Sequence, residues 1–237
     1  MKISVVYDNL ALEGFKPAWG FSVFIETSDG ERVLFDTGGS CKVWTHNAKR
    51  LGIDFSSFRD VFLSHFHWDH IGVVLDIAYT TKGKHFLIPD GFSKVFVSQL
   101  AERGHQVSLV REPYRFSENF ISTGGMKTGI KNLYEHSLIA FEGDRYALIV
   151  GCAHMGIVEV TRRAIELTKR PPELVIGGFH LFKEDEITVI AIAEELLRLG
   201  VKRVAPCHCT GDKNRQIFED VFGNRFVDIR AGSVIEL

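Results

Sequence analysis

The sequence predicts a mixed α/β (α+β) protein built as a four-layer αββα sandwich. Three observations carry that prediction. Short apolar runs rich in β-branched and aromatic residues alternate with helix-like stretches along the 237 residues. The first part of the chain is strand-dominated, and a later part repeats the same β-then-βα logic without any residue-level repeat. Two sheets packed face to face, with helices outside, would bury both inner faces.

The elements follow in order. Runs 2–7, 21–27 and 32–36 read as strands separated by turn signals such as Ser28-Asp29-Gly30. Residues 41–51 read as a helix ended by Gly52. Strand 61–64 follows, and a short helix begins near Asp69–His70. Strand 85–88 precedes helix 92–103, with Gly104 as its C-cap. Segment 107–134 is the least regular, with β-like pieces at 107–110 and 116–121. Strands 136–141 and 145–150 flank the turn Glu142-Gly143-Asp144. Helix 156–169 stops before Pro171-Pro172. Strand 174–176, helix 185–199, strand 202–205, helix 212–222 and a last strand near 233–236 complete the chain. No linker or low-complexity stretch interrupts it, so 1–237 reads as one domain. A prior of ~150 residues per domain permits this.

The composition narrows the function classes. Hydrophobic residues make up 45% and charged residues 24%, enough for a substantial core. A net charge of −2 supplies no electrostatic reason for nucleic acid as a partner. Cys41, Cys152, Cys207 and Cys209 form no Cys-x-x-Cys pair and read as free thiols of a reducing compartment. Met1-Lys2 leads straight into a strand pattern, and no apolar run is long enough to span a bilayer. The expectation is a cytoplasmic protein with a small-molecule partner and no membrane attachment.

The chemistry is concentrated at strand ends. His65-Phe66-His67-Trp68-Asp69-His70 places four metal-capable side chains directly after the apolar run Val61-Phe62-Leu63. Alternate residues leave a strand end on the same side, so His65 and His67 can grip one metal. Asp69 and His70 point at a neighbouring position. Imidazole and carboxylate suit zinc, with manganese or iron as alternatives, and four ligands on one loop suggest two metals. Three later apolar strands end alike, in Gly151-Cys152-Ala153-His154, Gly177-Gly178-Phe179-His180 and Pro206-Cys207-His208-Cys209-Thr210-Gly211. Glycine lets the backbone turn sharply and approach a ligand. His46, His85 and His105 read as solvated surface residues, and His136 as an undecided strand start. Val33-Leu34-Phe35-Asp36-Thr37-Gly38 is a buried-looking strand ending in a carboxylate that caps a turn or serves the site.

These motifs resemble the metallo-β-lactamase fold superfamily of metal-dependent hydrolases, over essentially the whole chain. The last three are similar to the branch that includes archaeal 7,8-dihydropterin-6-methyl-4-(β-D-ribofuranosyl)aminobenzene 5'-phosphate synthases. The resemblance implies the same αββα sandwich and places Asp36 beneath the metal site, orienting a ligand. It also implies one or two divalent metals. His65, His67 and His154 hold the first, and Asp69, His70 and His208 the second. One departure stands out: many dinuclear members carry a bridging Asp where this chain reads Gly151-Cys152-Ala153-His154. Either His154 replaces it, or Cys152 adds a thiolate, or one metal position is weak.

Three functions follow. The first is hydrolysis of an ester, thioester or phosphoester, a bound metal lowering the pKa of water from ~15.7 to about 7. In it Asp69 holds the water, and His180 acts as proton donor, substrate contact or further ligand. The second is transfer, in which a pterin diphosphate joins an aminobenzene ribotide phosphate and Trp19, Phe66, Trp68 or Phe179 stacks on the pterin. The third is a non-catalytic metal-binding or redox-sensing module, motivated by Cys207-His208-Cys209.

Overall fold

The computed structural model covers residues 1–237. Short runs buried on both faces build β1 (Lys2–Tyr7), β2 (Ser22–Glu26) and β3 (Arg32–Phe35) as an antiparallel meander. Helix α1 (Cys41–Arg50) crosses to β4 (Asp60–Phe62), which pairs parallel to β3. Short helices α2 (Trp68–Ile71) and α3 (Val74–Thr80) precede β5 (His85–Ile88). Helix α4 (Lys94–Glu102) leads to the edge strand β6 (Gln106–Leu109).

Short strands β7 (Tyr114–Arg115), β8 (Phe120–Ser122), β9 (Met126–Lys127) and β10 (Tyr134–Glu135) come next, followed by β11 (Leu138–Glu142) and β12 (Arg145–Val150). The chain ends through α5 (Ile157–Thr168), β13 (Leu174–Gly178), α6 (Glu186–Arg198), β14 (Arg203–Cys207), α7 (Asp212–Phe222) and β15 (Val234–Glu236). Asp185 caps α6 by accepting a hydrogen bond from the Thr188 N–H at 2.8 Å.

The two main sheets have strand orders β15-β1-β2-β3-β4-β5-β6 and β14-β13-β12-β11-β8-β7. Strand periodicity then sorts the side chains into layers. Ala147 and Ile149 of β12 face the first sheet and join Ile3, Val23, Phe35, Phe62 and Ile176 in the inter-sheet core. Leu148 and Val150 face outward onto Val160, Ala164, Val189 and Phe218 of α5–α7. On the other side Val6, Leu34 and Val61 pack on Trp44, Ala48 and Ile77 of α1 and α3. Sheets covered on both faces explain why strands such as Leu148-Ile149-Val150 are continuously apolar. The four-layer αββα expectation is therefore met. No helix is long and apolar enough to cross a membrane.

Several local expectations are corrected. The piece expected at 116–121 is mostly a turn between β7, which ends at Arg115, and β8, which starts at Phe120, because the chain reverses around Ser117–Asn119. There the Glu31 carboxylate accepts from Ser117 Oγ at 2.8 Å and from the Asn119 N–H at 3.0 Å. Helix α3 went unread: its β-branched and aromatic content resembles a strand, and only burial of Val74, Ile77 and Ala78 decides it. His85 and His105 are buried rather than solvated, His105 bridging the Lys84 N–H and the Ala78 carbonyl. His46 is half-buried and its Nε2 meets the Gly14 carbonyl at 3.0 Å. His136 is stacked on Phe62 and bonded to Ser122 and the Leu63 carbonyl, so it belongs to the core.

Candidate metal centre

The C-terminal ends of β4, β12, β13 and β14 open at one rim of the sandwich, where ligands of α/β sheets ordinarily sit. The loop after β4 brings His65, His67, Asp69 and His70. The loop after β12 brings Cys152 and His154, that after β13 His180, and that after β14 His208. All eight expected site residues meet there. Imidazole centroids lie 4.2 Å apart for His65–His70, 4.8 Å for His65–His154, 4.9 Å for His67–His154, 4.4 Å for His154–His180 and 5.0 Å for His70–His208.

Building this rim strains the backbone. Six non-glycine residues have positive φ, and four of them line the site: Asp36 at 50°, Ala153 at 56°, His180 at 53° and His208 at 49°. Such conformations cost of order 1–3 kcal/mol each and persist where surroundings over-determine them. Close approach makes the same demand on Gly151, where a Cβ would collide with the Ser64 hydroxyl.

Hydrogen bonds behind the rim set the tautomers. The His70 Nδ1–H donates to Asp36 Oδ2 at 2.7 Å. The His154 Nδ1–H donates to Glu135 Oε2 at 2.8 Å, and the His208 Nδ1–H to Asn9 Oδ1 at 3.1 Å. Ser64 Oγ donates to Asp36 Oδ2 at 2.7 Å and therefore accepts from His65 Nδ1 at 2.9 Å. In all four rings Nε2 is left as a bare lone pair aimed at the cluster, the arrangement metal-binding histidines require. His67 presents Nδ1, 3.0 Å from His65 Nε2.

The electrostatics agree. Burial, reinforced by His208, pushes His70 down to about 3, and burial with His70 pushes His65 well below the ordinary value. These two rings are thus neutral and ready to ligate at neutral pH. Burial would raise the Asp69 carboxyl, but the adjacent His208 and His70 rings outweigh it and hold it below its ordinary range.

Does a metal fit? His208 Nε2 is buried without a hydrogen-bond partner, 3.3 Å from Asp69 Oδ2, an orphaned donor atom beside an anionic oxygen. The ligand atoms of His65, Cys152 and His154 lie within 4.8 Å of one another, as do those of His70, Cys152 and His208. Cys152 is common to both groups, with Sγ 3.2 Å from His70 Nε2. A divalent cation fits each group. Cys152 occupies the place between them, where the sequence carries no carboxylate. Cys207 faces the inter-sheet core while Cys209 approaches Cys152 and His180, so Cys207-His208-Cys209 does not converge on one point.

Three residues escaped the sequence reading. Glu135, fully buried, accepts from the backbone N–H groups of Cys152, Ala153 and His154 at 2.7, 2.8 and 2.9 Å. Asp8 accepts from the His208 N–H at 3.0 Å, and Asn9 orients the His208 ring. A strand ending in Asp, the signal that exposed Asp36, was equally present at Tyr7-Asp8. Nothing local marks Glu135.

Around the mouth, Trp19 and Phe182 stand edge-to-face at 6.5 Å, with Trp19 4.9 Å from His208. Both are more than 40% exposed, as is Trp68. Phe66 packs on Phe92 and Phe96, and Phe179 is buried against Phe218, so Phe179 is core.

Fold and rim together are those of a metal-dependent hydrolase-like protein. The metallo-beta-lactamase superfamily profile matches residues 20–208, and the chain belongs to that superfamily. It is 26% identical over 269 residues to the 7,8-dihydropterin-6-methyl-4-(beta-D-ribofuranosyl)-aminobenzene-5'-phosphate synthase of Methanocaldococcus jannaschii, covering 93% of this chain and 91% of that protein. A solved structure described as a metal-dependent hydrolase of the beta-lactamase superfamily superposes with a TM-score of 0.83 at 28% identity, covering 100% and 99% of the two chains. The short form of human tRNase Z shares the fold alone, with a TM-score of 0.67 at 14% identity over 100% and 99% of the chains.

Proposed function

We propose that this protein is a metal-dependent hydrolase with a two-metal centre. His65, His67 and His154 would hold one divalent cation, zinc by its nitrogen-rich donors, and Asp69, His70 and His208 the other. Cys152, common to both groups, would be a further ligand. The observation that carries the reading is the set of four imidazoles whose Nδ1 atoms are engaged from behind while Nε2 faces the cluster. A bound divalent metal would supply Lewis acidity and would lower the pKa of a water there.

The chain's own groups do the rest. Asp69, ionised at the rim, orients the attacking water by accepting its hydrogen bond. His180, exposed beside His154, protonates the leaving group, the oxygen of an ester or phosphoester or the sulfur of a thioester. Asp36, Glu135 and Asn9 keep the rings in register.

A group-transfer reading rests on the exposed Trp19–Phe182 pair beside His208 and on the likeness to the synthase. Consumption of a pterin substrate only when an aminobenzene-bearing partner is added would favour it over hydrolysis.

Metal analysis of untagged protein against His208→Ala tests the centre. Near two equivalents, falling toward one in the variant, supports it. One equivalent unchanged by the variant overturns the two-metal assignment and leaves His208 to the substrate.

A further inference from the structure

At the opposite end of the first sheet, three polar side chains on adjacent parallel strands form a relay. Asp60 opens β4 and pairs with His85, which opens β5; Ser108 in β6 pairs with Leu87. Side chains two apart share a sheet face. Asp60 therefore lies on the side of Phe62, His85 on that of Leu87 and Ser108 on that of Val110. Phe62, Leu87 and Val110 are inter-sheet core, so the polar trio occupies the end of that same gap.

The geometry is ordered. His85 Nδ1 is 2.8 Å from Asp60 Oδ1, and His85 Nε2 is 2.8 Å from Ser108 Oγ. A carboxylate oxygen only accepts, so Nδ1 carries the proton and Nε2 of the neutral ring accepts from the Ser108 hydroxyl. A hydroxyl, a base and a group that orients the base, each within hydrogen-bond reach, is the arrangement that activates a serine. His85 is 6% exposed, and packing fixes its ring. Ser108 is half-buried and lines an open surface groove of about 450 Å³ with Leu109, Pro113 and Tyr114.

The backbone adds a donor. The Gln106 N–H donates to the Lys84 carbonyl and the Val110 N–H to the Ile88 carbonyl, so alternate N–H groups of β6 face β5. Because β6 is a sheet edge, the N–H of Leu109, adjoining Ser108, points to the open side.

We propose that Ser108, His85 and Asp60 form a second, metal-independent nucleophilic site that cleaves small aryl esters. Ser108 Oγ bonds to the acyl carbon and the ester C–O bond breaks. The hydroxyl proton passes to His85 Nε2 and on to the departing phenolate oxygen. Water then attacks the acyl-serine, His85 takes its proton and returns one to Ser108 Oγ, and the carboxylic acid leaves. Pro113 and Tyr114 offer apolar surface beside Ser108 for an aryl group, with Arg111 and Glu112 at the same groove.

The test is covalent labelling of the protein as isolated with a fluorophosphonate, which loses fluoride as its phosphorus bonds to the serine oxygen. Peptide mass spectrometry is expected to place one adduct on Ser108, with no adduct in Ser108→Ala. Labelling is expected to slow about 10²–10⁴-fold in His85→Ala, the usual contribution of a positioned base. Release of 4-nitrophenol from 4-nitrophenyl acetate by the same site should persist when a chelator is added. Absence of a Ser108 adduct in the wild-type protein overturns the proposal without reliance on any variant. So does labelling at an unchanged rate in a folded His85→Ala protein.

Discussion

Replacing Glu135 by Gln should loosen both the fold and the metal centre. Glu135 Oε1 accepts from two N–H groups, of Cys152 and Ala153, and Gln preserves that oxygen. Oε2 accepts from the His154 N–H at 2.9 Å and from His154 Nδ1 at 2.8 Å. Gln puts an NH₂ group there. The backbone N–H then faces another donor, and a buried unsatisfied N–H costs about 1–3 kcal/mol. The ring can meet the NH₂ only by moving its proton from Nδ1 to Nε2, which blocks the atom aimed at the metal. Turning the amide over is worse, since two N–H groups would then face the NH₂.

The carboxylate also loses its charge, and hydrogen bonds to charged groups contribute about 1.5–3 kcal/mol. The combined loss is about 2.5–6 kcal/mol, or roughly 5–24 °C in Tm for a chain of this size. Loss of an outer hydrogen bond to a metal-binding histidine typically costs 10–100-fold in metal affinity. Thermal unfolding and competitive zinc titration measure both. Stability within about 0.5 kcal/mol of wild type together with an unchanged zinc Kd would falsify the reasoning.

Other outcomes follow from the same structure. His67→Ala should lose metal and hydrolytic activity together, and full retention of metal sinks its assignment. Chelation should lower Tm, because bound metal stabilises only the folded site; a Tm indifferent to chelator argues against it. Ile149→Ala, in the inter-sheet core, should cost about 2–5 kcal/mol in denaturant unfolding, and a cost below 1 would mean the sheets collapse onto the gap. Burial pushes Tyr146, whose hydroxyl donates to the Arg170 carbonyl, up to about 12. Above pH ~10 the unfolded phenol ionises while the folded one keeps its proton, so stability should fall by about 2–3 kcal/mol between pH ~10 and ~12. Tyr146→Phe should flatten that slope, and an equal slope in the variant assigns it elsewhere.

Much of the fold was legible because its signals are local. Strand 145–150 and helix 212–222 follow from apolar periodicity and flanking turn residues and stand where the pattern puts them. The ligand loops were legible because each couples an apolar strand to a glycine or proline turn and a histidine. Helix α3 and the split at β7–β8 were not, because burial against distant residues and the Glu31 carboxylate decide them. His85 and His105 were misplaced for the same reason: a histidine in a strand gives no local sign of the carbonyl, carboxylate or hydroxyl that will satisfy it.

By itself the sequence determined the layer architecture, the strand ends that carry His65, His67, Asp69, His70, His154 and His208, and the lack of a carboxylate at residues 151–154. Period and turn chemistry act over a few residues and are written in order along the chain. Only the tertiary structure decided that Cys152 lies between the two histidine groups and that Glu135 gathers three backbone N–H groups beneath it. It also decided that Asp8 and Asn9 brace His208 from some 200 residues away in the chain. The Asp8 and Asn9 contacts join the two main sheets, and those of Glu135 tie the β9–β10 pair to the loop after β12; how these pieces pack sets the partners, which no local pattern encodes.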